Sequence, residues 1–133
     1  MQTLEDKLES LIIAALQTDV VLATLPIVKG IHDAEETETR IYVHAESVTS
    51  DVHPGEHSQA ELTIFLRVQN DDNAPATFDD YLARLTKTTI DTVNFTQAAQ
   101  DFEMLIRTAE QPESRQVTDS AWTYEKKITY LLK

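Results

Sequence analysis

The chain predicts an α+β domain in which two amphipathic helices cover one side of a mostly antiparallel sheet of four to five strands. Three observations predict it. Residues 60–70, AELTIFLRVQN, alternate apolar and polar: Leu62, Ile64, Leu66 and Val68 against Glu61, Thr63, Arg67 and Gln69. Side chains on a strand change faces at every residue, so this is one long strand with a single buried face. An apolar stripe at helical spacing opens the chain. A second helix signal follows the break at Asp71-Asp72-Asn73-Ala74-Pro75, so the strand's apolar face has something to pack against.

Thr3 can cap a first helix whose stripe is Leu4, Leu8, Leu11, Ile12, Ala15 and Leu16, with Glu5 and Asp6 in the first turn, where the helix dipole favours anions. Residues 19–25, DVVLATL, form a short helix or a buried run, ended before Pro26. Residues 27–31 and 40–45 read as strands, with the acidic turn 33–38 between them. Residues 47–59, SVTSDVHPGEHSQ, are a thirteen-residue polar loop around a Pro54-Gly55 turn. Loops of that length are often functional. Thr77 with Asp80 three residues on reads as a capping box. The helix it opens turns Phe78, Leu82, Leu85, Thr89 and Val93 inward, with Tyr81 and Ile90 on the flanks. Residues 101–108 are a strand candidate that also suits a helix, and 110–115 a turn. Residues 116–132 read as one closing strand with Trp122, Tyr124, Ile128, Tyr130 and Leu132 on one side.

Composition bounds the function. The 133 residues suffice for one domain that buries roughly 65–70% of its unfolded surface without a metal or disulfide. Zero cysteines exclude disulfides and thiolate chemistry, in keeping with a reducing compartment. The opening MQTLEDKLES carries acids and no basic, apolar-flanked run, so no signal peptide is expected. No apolar stretch approaches the ~20 residues of a membrane span. A balance of 23 acids against 11 bases, −12 formally, repels phosphate backbones and argues against sequence-specific nucleic-acid binding.

No segment announces chemistry. His53 and His57 stand four apart, but Pro54-Gly55 between them denies the helical geometry a zinc pair needs. With Asp51 and Glu56 they make a loop site conceivable, and a solvated loop is the reading adopted. His44, two residues before Glu46, is expected on the exposed face of its strand. The serines lack a glycine-flanked elbow, and two glycines, Gly30 and Gly55, make no phosphate-cradling loop. Asp71-Asp72-Asn73 lacks the glycine and closing glutamate of a calcium loop. No catalytic, cofactor or metal residues are therefore assigned. The candidate interface is Asp51, His53, Glu56 and His57 in the loop, Phe65 out of phase on the best strand, and Trp122 and Tyr124 on the last. For the aromatics of the last strand a core reading is preferred to an interface. Phe65 on the polar face calls for a second layer or a partner over it.

The opening helix TLEDKLESLIIAAL, the strands IYVHAE and ELTIFLRVQN around a long polar loop, the helix FDDYLARLTKTTIDTV and the Trp-bearing ending DSAWTYEKKITYLLK together resemble the tail-terminator and tail-completion proteins of long-tailed bacteriophages. The resemblance is architectural and covers nearly the whole chain. It implies a non-enzymatic virion protein, assembled in the host cytoplasm, whose copies form a ring, typically a hexamer. The ring would cap the tail tube, dock it to the head connector and let DNA pass without sequence-specific binding. The resemblance brings no cofactor, no membrane and no catalytic residues. It leads to the expectation that residues 47–59 contact a neighbouring ring or tube, and that a sheet edge joins subunits. The alternatives are another neck or minor tail protein, an acidic adaptor, or a small ligand-binding α+β domain.

Overall fold

The structure, a computed structural model, describes residues 3–31, 38–48, 58–90, 102 and 105–133. Its α+β class is the one the sequence predicts: the described residues form two α-helices on a mostly antiparallel sheet, of six strands where four to five were expected.

Helix α1 spans Leu4–Gln17, and the Thr3 hydroxyl accepts the Asp6 N–H at 3.1 Å as its N-cap. Leu8, Ile12 and Leu16 are fully buried along the predicted stripe. Residues 22–24 make a single 3₁₀ turn. Asp19 sets it by accepting the N–H groups of Val21 and Leu22 at 2.9 and 3.0 Å. Strand β1, Ile27–Lys29, pairs parallel with β2, Arg40–Val48. It ends at Gly30, whose φ of 122° is one that L side chains rarely adopt. The predicted acidic turn lies largely outside the described residues. β2 pairs antiparallel with β3, Ser58–Gln69, and both strands run further into the predicted loop than the sequence implied. Residues 49–57 between them lie outside the described residues.

The second helix corrects the capping-box reading. α2 runs Ala74–Leu85, so Thr77 and Asp80 lie inside it and the N-cap is Asn73. Pro75 does not delay the start, because proline fits the first turn, where an N–H would have no intrahelical partner. Asp71 Oδ1 accepts the Asn73 N–H at 2.8 Å and holds the entry turn. Phe78, Leu82 and Leu85 face the core as expected. A π-helical turn, Thr86–Ile90, follows, while Val93 lies outside the described residues.

The closing strand is likewise corrected. It is a hairpin: β5, Ser114–Val117, folds back on β6, Ala121–Leu132. The Thr118 hydroxyl makes the bend by accepting the N–H groups of Ser120 and Ala121 at 3.3 and 3.1 Å. β4, Leu105–Glu110, starts later than predicted and pairs with the other half of β6. The order across the sheet is β1-β2-β3-β6, with β4 and β5 sharing the far side of β6.

Register decides which residues share a face. Ile41, Val43 and Ala45 align with Leu66, Ile64 and Leu62, and these with Tyr124, Lys126 and Ile128. This is the face under the helices, with α1 over β2 and β3 and α2 over β3 and β6. The opposite face carries no described helix.

Both sheet edges are blunted. β1 has three residues, and beyond it the Ala45 N–H is taken by the buried carboxylate of Glu9 at 3.0 Å. The β4–β5 edge is broken by a register shift between Arg107 and Ala109 and by Pro112. Such devices hinder strand addition.

A candidate interface on the open face of the sheet

The open face is built in cross-strand rows. Tyr42 lies opposite Phe65, and Phe65 opposite Glu125; His44 lies opposite Thr63, and Thr63 opposite Lys127; Glu46 lies opposite Glu61. Phe65 is only 7% exposed despite its place on the uncovered side. Its ring meets Tyr42 edge-on, with centroids 6.1 Å apart at 65°. The Arg67 guanidinium rests over the Tyr42 ring at 5.5 Å and donates to the Tyr42 hydroxyl at 3.2 Å and to the Glu38 carbonyl at 2.9 Å. A local cluster on the open face thus explains the out-of-phase phenylalanine. Alongside, the hydrogen bond from Arg40 at 2.6 Å and the charge of that guanidinium hold the Glu38 carboxyl below its usual range.

Next to this cluster is a cavity of about 130 Å³. Its floor is Tyr42, Thr63 and Phe65; its rim carries His44, Glu46, Glu61, Glu125 and Lys127, closed on one side by Gly30 and Ile31. His44 Nε2 is 2.9 Å from Glu46 Oε1, and its Nδ1 is 3.6 Å from Glu9 Oε2. Lys127 Nζ is 3.8 Å from Glu61 Oε1, whose other oxygen accepts from Gln111 at 3.0 Å. Among the described residues no group of three His, Asp or Glu side chains is arranged to hold a metal ion. Chemically the cavity offers carboxylate acceptors above an aromatic floor, an arrangement that attracts cations.

Of the predicted interface residues, the three that are described do not share a face. Asp51, His53, Glu56 and His57 lie outside the described residues. Phe65 is on the open face, whereas Trp122 and Tyr124 are on the helix-covered one. Tyr124 is fully buried, as is Tyr130, so both belong to the core. Burial pushes the Tyr124 hydroxyl up to about 12, with the negative charge of Glu113 adding to it. Burial likewise pushes Tyr130 up to about 12. Trp122 is half-buried; its ring lies 5.7 Å from Phe78 and its Nε1 donates to Asn70 Oδ1 at 3.3 Å. Sequence reasoning missed Glu61, Glu125 and Lys127. His44 and Glu46 were legible as a two-residue spacing on a strand, but their partners arrive through strand register. No family model matches the chain, and no curated protein is significantly similar to it.

Proposed function

We propose that the chain is a non-enzymatic structural subunit of a bacteriophage tail, a tail-terminator or tail-completion protein whose copies form a ring between tail tube and head connector. The observation that carries the reading is the order and placement of elements. A capped helix is followed by a hairpin of two long strands, a second helix, and a closing strand that enters the middle of the sheet. The resemblance implies an α+β subunit of this kind, and among the described residues one face of the sheet carries no helix. Six copies would carry about −72 formal charges, and acids lining a central channel would repel passing DNA phosphates. Light scattering after size exclusion, with negative-stain microscopy, tests the reading. Rings of about six subunits are expected, either alone or on adding tail-tube protein. A monomer at every concentration that ignores tube protein overturns it.

The acidic rim of the open-face cavity favours a second reading, an adaptor that masks a basic partner. A stable monomer that binds a basic protein in place of tube protein would select it.

A further inference from the structure

We propose that the open-face cavity receives an arginine side chain presented by a partner protein. Size comes first. About 130 Å³ is well under the roughly 300–1,000 Å³ of small-molecule pockets, and suits one long side chain. Charge comes second. Three carboxylates, Glu46, Glu61 and Glu125, face a single ammonium, Lys127. Lys127 leans to Glu61 at 3.8 Å, and Glu125 has no hydrogen-bond or ion-pair partner among the described residues. The third argument is the floor. Tyr42 already carries one guanidinium, that of Arg67, at 5.5 Å, so this ring accepts a planar cation within this fold. A guanidinium both stacks on rings and forks to carboxylates, which a lysine ammonium does not. A chain of net charge −12 also draws basic partners over long range.

The cavity lies within one copy of the chain, so arginine binding does not depend on whether copies form rings. TROSY amide spectra of the deuterated full chain, titrated with acetyl-Gly-Arg-Gly-amide, test it. Saturable shifts are expected at Tyr42–Glu46, Glu61–Phe65 and Glu125–Lys127, and not with the citrulline counterpart. Glu125→Gln should weaken binding about threefold or more, and Lys127→Met should tighten it by a similar factor, since it removes the resident cation. Glu113→Gln, outside the cavity, should change nothing. The same spectra report whether each variant is folded. Absence of saturable shifts, an equal response to citrulline, or weaker binding by Lys127→Met would overturn the proposal. Free agmatine binding about tenfold tighter than the peptide would assign the cavity to a small amine and equally overturn it.

Discussion

Glu9 and Asp19 show how single carboxylates fix this fold. Glu9 is 5% exposed on an otherwise apolar helix face. A buried carboxylate is costly unless its oxygens are hydrogen-bonded. The Ala45 N–H supplies that bond exactly where β1 stops pairing with β2, so one side chain answers both its own burial and an orphaned strand donor. Asp19 ties the 3₁₀ turn to α2. It accepts two N–H groups of the 3₁₀ turn and pairs with Arg84 of α2 at 3.2 Å. Burial alone would raise its pKa, but those backbone bonds and Arg84 outweigh it and hold the carboxyl below 3.8. A depressed folded value means that the stabilisation is full above 3.8 and is lost as pH falls through the folded value. Asp19→Asn should therefore lower the urea midpoint near neutral pH, and its gap from the parent protein should shrink as pH falls below the ordinary carboxylate range. A gap of constant size across that range would show that the carboxylate charge is not what matters.

At the scale of elements, the start of α2 separates two accounts of the same residues. If Thr77 were the cap, losing its hydroxyl would cost about 1 kcal/mol. With Thr77 inside the helix, Thr77→Ala should be neutral or slightly stabilising, because alanine is the better helix former. Asp71→Ala should instead lose roughly 0.5–1 kcal/mol, through the bond to the Asn73 N–H. Chemical denaturation of the two variants measures both. The sequence made α1 and β3 legible because their periods are long and uninterrupted. It misplaced the ends of α2 and β5 because Pro75 and Thr118 have meanings set by position. Proline closes a helix at most sites but opens one in the first turn, and a threonine suits a strand until its hydroxyl finds two N–H donors ahead of it.

For the whole molecule, charge is the main lever on assembly. Copies of a chain carrying −12 repel one another, and salt screens that repulsion. Self-association read by analytical ultracentrifugation should therefore strengthen between about 0.05 and about 0.5 M salt. Docking of an arginine into the cavity should weaken over the same range, since there the charges attract. Self-association that weakens with salt would mean that opposite charges hold the copies together, against the proposed acidic ring.

The sequence by itself determined the α+β class, the first helix, the long half-buried strand and the apolar stripes that join them. These depend on local periodicity, which is written along the chain. Only the tertiary structure decided that Phe65 sits beside Tyr42, that Trp122 and Tyr124 belong to the other face, and that Glu46, Glu61, Glu125 and Lys127 gather around one cavity. Those neighbours come from three strands, the hairpin β2–β3 and the distant β6. A shift of register by one residue would turn each side chain to the opposite face, and only the folded pairing fixes that register.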